Sequence, residues 1–170
     1  MRHEPGQEKR KATAAPSRVD TVGSVPSLPA PDDAATPHTP AFHPDGKTFA
    51  VTYSATSTAG PIYLQHLNGE IPPELLLDGP GTQRQPVFSG GGETLYYASD
   101  QSGQFEVWST HLDTGARFQH TGSAAVHHAT APTWTWAGLA VVARTGNEET
   151  PRVVLLEAPL PLPFALTLTG

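Results

Sequence analysis

The sequence predicts an all-β chain of repeated four-stranded antiparallel units, preceded by a tail without regular structure. Three observations lead there. Eighteen prolines and sixteen glycines in 170 residues break up any long helix, because proline lacks a backbone N–H and clashes with the preceding turn. Pro40, Pro86 and Pro132 stand 46 residues apart twice over, and Phe42, Phe88 and Trp134 keep the same interval. A fixed period of 20–50 residues marks stacked repeats. Inside each repeat, apolar residues alternate with polar ones, the period-two pattern of half-buried strands.

The tail covers residues 1–38, where prolines and small or acidic residues crowd together with few large apolar groups, a composition that cannot bury enough surface to order itself. EKRK at 8–11 belongs to it as a solvated charge run. Three units follow, at about 39–84, 85–130 and 131–170. Each first strand is the proline and its aromatic, proline being acceptable where a strand begins. It ends in a turn, HPDGK in the first unit and SGGGE in the second. Pro44 presets φ at the turn's first corner and Gly46 takes the positive φ of a following bulge. Asp45 spends its carboxylate on nearby backbone N–H groups.

The second strand places Phe49, Val51 and Tyr53 on one face, as the next unit places Leu95, Tyr97 and Ser99. The third unit has a shorter turn, Trp136-Ala137-Gly138, before LAVVA at 139–143. Third strands read IYLQHL (62–67), VWSTHL (107–112) and VVLLEA (153–158). Asn68-Gly69 then predicts a two-residue hairpin, and Asp113-Thr114-Gly115 a longer turn. Fourth strands are ELLLDG, ARFQHTG and FALTLTG, the last ending at Gly170; Pro159, Pro161 and Pro163 suit an outer edge paired on one side. Four antiparallel strands per 46 residues describe a propeller blade, so the expected fold is a partial β-propeller of three blades.

The first unit carries Pro40, Phe42, Pro44, Asp45, Gly46, Lys47 and Phe49; the second carries Pro86, Phe88, Ser89, Leu95, Ser99, Asp100, Gly103, Val107, Trp108 and Leu112. This pattern resembles the TolB-like (WD-type) β-propeller repeat over about 130 of the 170 residues. The second unit has Gly90-Gly91-Gly92 where that repeat has Pro-Asp-Gly, and the third keeps Pro132 and Trp134 but loses the turn. The resemblance implies a non-catalytic module that recognises a protein or peptide through its loop face. Because the same repeat builds the propellers of prolyl-oligopeptidase-like and dipeptidyl-peptidase-like serine peptidases, it also admits the propeller portion of such a peptidase, or a truncated remnant.

Propeller rings take four to eight blades. Three leave an apolar sheet face at each end, and terminal repeats need cover. A homodimer joined head to tail makes a six-bladed ring, a closed arrangement; a partner supplying blades, or the remainder of a longer propeller, serves equally. Whether Val19 to Leu28 adds an outer strand to the last blade stays open.

A net charge of −6 with 15% charged residues leaves no cationic face for nucleic acid. No run of 18 apolar residues suggests membrane insertion. The positive N-terminus has no apolar run behind it, so as written the chain reads as cytoplasmic, and as periplasmic or extracellular only with a leader upstream. Without cysteine there is no thiolate chemistry.

Eight histidines raise a metal site, but His127 and His128 are adjacent and point to opposite faces of a strand, and His120 stands outside ligand spacing. His66 and His111 occupy the same place in successive third strands, which reads as packing. No metal or other cofactor is expected. No G-x-S-x-G elbow and no assignable carboxylate pair point to catalysis. The candidate recognition residues are His38, Gln83, Arg84 and His128, taken from the segments before each first strand. In a propeller these segments form loops around the central channel, and loops on a rigid scaffold concentrate recognition.

Overall fold

A computed structural model describes residues 28–32 and 35–156, and among these residues there is no helix. The first sheet is antiparallel and runs β1 (Thr36–Phe42), β2 (Thr48–Ser54), β3 (Ile62–His66), β4 (Glu74–Leu77). The second repeats that order with β5 (Gln83–Phe88), β6 (Thr94–Ser99), β7 (Glu106–His111) and β8 (Arg117–Gln119). The third contains β9 (Val126–Thr135), β10 (Gly138–Thr145) and β11 (Arg152–Leu156), with β10 in the middle. The expected last strand at 164–170, the prolines before it and the segment 19–27 lie outside the described residues.

The repeat is a repeat of register. Thr48 pairs with His66 in the first sheet and Thr94 with His111 in the second. The two histidines are therefore equivalent in space as well as in sequence. Ile62 pairs with Thr52, Val107 with Ala98 and Val153 with Val142, so these three occupy one place in successive sheets.

Alternation along each strand gives every sheet two apolar faces, and the sheets stack in series. Ala50, Ile62 and Leu77 of the first meet Phe88, Leu95 and Tyr97 of the second. Tyr96 and Val107, on the second sheet's opposite face, meet Ala129, Leu139, Val141 and Ala143 of the third. Phe49, Val51 and Tyr53 form a separate cluster on the outward face of the first sheet, packed against Leu28, Ala35 and Tyr63. Leu28 thus lies on the first sheet, not the last. Each fully buried aliphatic at these junctions contributes about 1.5–3 kcal/mol by leaving water.

The turn at 43–47 forms as its residues dictate. Gly46 has φ 68°, and the Asp45 carboxylate accepts from Lys47 N (2.7 Å), Thr48 N (3.1 Å) and the Thr48 hydroxyl. The Lys47 backbone bond first, aided by those from Thr48, lowers the Asp45 pKa from an ordinary 3.8 to about 2. A depressed carboxylate stabilises the fold above its unfolded pKa and ceases to do so as pH falls through the folded value. The thermal midpoint of the native chain should accordingly exceed that of Asp45→Asn at pH 5, with the gap closing between about pH 4 and pH 2. A gap undiminished from pH 5 to pH 2 would show that the charge is not what stabilises the turn.

Two expectations are corrected. Asn68-Gly69 does not make a two-residue hairpin: only the second residue, Gly69, has positive φ (69°), whereas a type I′ turn needs it at both positions and a type II′ turn at the first. Pro72 and Pro73 then delay pairing, and β4 starts at Glu74. The segments before the prolines are also not loops. Thr36–His38 belong to β1, Gln83–Arg84 to β5 and His128 to β9.

Those long first strands are possible because they are bulged, β1 and β5 once each and β9 twice. Thr39, Gln85 and Ala131, each directly before a repeat proline, have φ of 46°, 55° and 50°. The pairing of β1 with β2 shifts between His38 and Ala41, and that of β5 with β6 between Arg84 and Val87. A bulge absorbs the missing proline donor and lets the strand continue beyond it.

Candidate functional site

The starts of β1, β5 and β9 and the loop ending at Phe105 define one end of the stacked sheets. The residues named from sequence fare differently there. Arg84 is partly exposed on β5, opposite Ala98, and its guanidinium carbon lies 3.6 Å from the centroid of the Phe105 ring. Its Nε is buried and unbonded among the described residues, and no carboxylate there comes within ion-pair distance. Burial lowers the Arg84 pKa, and the Asp100 charge partly opposes that. Asp100 itself accepts from Thr82 N (2.6 Å) and the Thr82 hydroxyl (3.1 Å), tying the β6–β7 loop to the start of β5.

Gln83 is turned inward. It is buried, its Nε2 donates to Gly81 O, and its main-chain carbonyl accepts from Gly60 N, between β2 and β3 (2.8 Å). The residue joins two sheets. His38 is partly exposed on β1 opposite Thr52, and His128 is exposed on β9 with φ 51°. The His127 and His128 rings lie 5.2 Å apart, and the His127 Nδ1 is buried without a partner among the described residues. Among those residues no three His, Asp or Glu side chains gather in metal-binding geometry.

Sequence reasoning missed Phe105 and Glu106. Glu106 is 1% exposed, and four donors converge on its two oxygens. Oε1 accepts from Gln104 Nε2 and His128 N, both at 2.9 Å, and Oε2 from the Thr121 hydroxyl (2.5 Å) and Ala129 N (3.4 Å). Thr121 in turn accepts from Val107 N. A carboxylate of the second sheet thereby holds the main chain of the third in the unusual conformation at His128. The signal was an acidic residue directly before Val107 and Trp108, where the first repeat has Pro61 before Ile62.

A second cluster lies on the outer half of the second sheet, in a cavity of about 400 Å³ that includes Tyr96, Ser109, His111, Phe118 and His120. His120 Nε2 is 2.8 Å from Ser109 Oγ, and burial lowers the His120 pKa, keeping the ring neutral at pH 7. Acyl transfer also needs an acid to orient the histidine and donors for the oxyanion. Among the described residues no carboxylate bonds His120.

No family model and no curated protein matches the chain. Solved structures do. A protein assigned as TolB from Agrobacterium tumefaciens is 22% identical, with a TM-score of 0.53, over 70% of this chain. A puromycin-hydrolysing peptidase from Mycobacterium tuberculosis is 18% identical, with a TM-score of 0.52, over 78% of it. The chain spans 44% of the first and 25% of the second. At these identities the likeness is one of fold, and it agrees with the repeat pattern: the three sheets are similar to part of a TolB-like β-propeller.

Proposed function

We propose that the chain is a non-catalytic propeller module, its sheets acting as blades of about 39–84, 85–130 and 131–170, which binds a protein or peptide at the end formed by the starts of β1, β5 and β9. The observation that carries this is Arg84. Its guanidinium is held against Phe105 without a carboxylate partner among the described residues, and a cation fixed on an aromatic ring is set to take an anionic group in a defined direction. His38 and His128 add polar edges at the same end. In an acidic chain with a net charge of −6 this is a local exception. The ligand it fits is a peptide segment presenting an Asp or Glu side chain or a terminal carboxylate.

The test is calorimetric titration with short peptides that differ only in their acidic residues. Peptides with a carboxylate should bind the native chain at least about tenfold more tightly than Arg84→Gln, the loss expected for one charge-assisted contact of roughly 1.5–3 kcal/mol. Phe105→Ala should weaken binding in the same direction. Equal affinity for acidic and amidated peptides, or indifference to Arg84→Gln, would sink this reading.

A further inference from the structure

Two positions that are covered at the interior junctions are bare at the ends of the stack. Phe88 is 3% exposed beneath the first sheet, and Trp134 stacks on Tyr96 at 5.6 Å. Phe42, the same position in the first sheet, is 66% exposed. On the opposite faces Ile62 and Val107 are both 0% exposed, whereas Val153, their equivalent in the third sheet, is 76% exposed. Phe42 and Val153 thus hold junction positions that no neighbouring sheet covers among the described residues.

Their chemistry matches that of the junction already formed. Between the first and second sheets, small and aliphatic residues (Ala50, Ile62, Leu77) meet a face rich in rings (Phe88, Leu95, Tyr97). The outward face of the third sheet exposes Val142, Val153 and Leu155; that of the first exposes Phe42, while Phe49 and Tyr53 beside it are already covered. Leu28 and Pro29 lie over the outer part of the latter, with Gln65 Nε2 donating to Pro29 O at 2.7 Å. Beside them a cavity of about 550 Å³, edged by Pro37, Pro40 and Phe49, stays open. Pro40 is exposed there, while Pro86 and Pro132 are buried.

We propose that a second copy of this chain supplies the missing half at each end, the third sheet of each copy packing on the first sheet of the other. Two such arcs share two identical junctions related by a twofold axis, so the assembly closes instead of growing into a fibre. Six sheets fall within the four to eight that a ring accommodates. This proposal is independent of the ligand.

The experiment is light scattering of the full chain between about 1 and 100 µM, with Phe42→Lys and Val153→Glu each alone and then mixed. The native chain should have about twice the 18.0 kDa of one copy. Each substitution alone spoils both junctions and should raise the dissociation constant at least about 30-fold, as for loss of a buried anchor. Mixing the two variants should restore the dimer. One junction then keeps Phe42 and Val153 on opposite copies, and the other brings the two opposite charges together. Both side chains face solvent in the single chain, and unchanged thermal unfolding of the diluted variants separates lost association from lost folding. A monomer at every concentration, a dimer that survives either substitution, or folded variants that do not recover on mixing would each overturn the proposal.

Discussion

Phe88→Ala should destabilise the chain by about 3–5 kcal/mol, while Phe42→Ala, measured in dilute solution, should cost less than about 1 kcal/mol. The two phenylalanines hold the same place in successive repeats, each pairing with the second residue of the next strand: Leu95 for Phe88 and Phe49 for Phe42. Only the surroundings differ. Phe88 lies in the cluster with Ile62 and Leu77, with the His43 ring edge-on at 4.8 Å, and its removal leaves a cavity bounded by two sheets that cannot collapse independently. Phe42 has one ring neighbour, Phe49 at 5.9 Å, and solvent beyond. Urea unfolding followed by fluorescence of the three tryptophans measures both variants. Equal losses would mean that the first junction is not as described.

Glu106→Gln should cost about 1.5–3 kcal/mol, and Glu106→Ala at least as much. The carboxylate is surrounded only by donors: Gln104 Nε2, His128 N, Ala129 N and the Thr121 hydroxyl. Glutamine keeps a single acceptor oxygen and turns an NH2 group toward donors, so at least one buried N–H or O–H loses its bond. Alanine abandons all four. Because two of those donors belong to the third sheet, the loss should fall on its edge first, and hydrogen exchange at His128 and Ala129 should accelerate more than at Tyr97, which lies in the first junction. Uniform acceleration would instead indicate a global loss without local control at this junction.

Much of the fold was legible in one dimension because β-structure writes its two faces as alternation and its repeats as a period. The face carrying Phe49, Val51 and Tyr53, the third strands, and the Asp45 turn all appear where those patterns place them. The glycines of SGGGE had no explanation in sequence. Their reason lies between sheets: a side chain at Gly92 would strike His43 Nε2, and one at Gly90 would stand 2.9 Å from Trp134 Nε1. At Gly90, where the first repeat has Pro44, Trp134 of the third sheet leaves no room for a side chain, whereas Gly92 keeps the glycine of Pro-Asp-Gly.

Of the proposed site, the sequence named Arg84 but not the ring beside it, and it named Gln83, which is buried. Counting back from the prolines located the start of each first strand. It could not register the bulges at Thr39, Gln85 and Ala131, which extend the strands and re-aim everything before them.

By itself, then, the sequence determined that this chain is all-β, that it is built on a 46-residue period, and which residues alternate into each face, since these follow from local sterics and the pleat. The tertiary structure alone decided which faces are covered. Burial, the convergence of four donors on Glu106 and the exposure of Phe42 against Phe88 depend on residues far apart in sequence, and a periodic pattern is the same whether or not a neighbouring sheet is there to meet it.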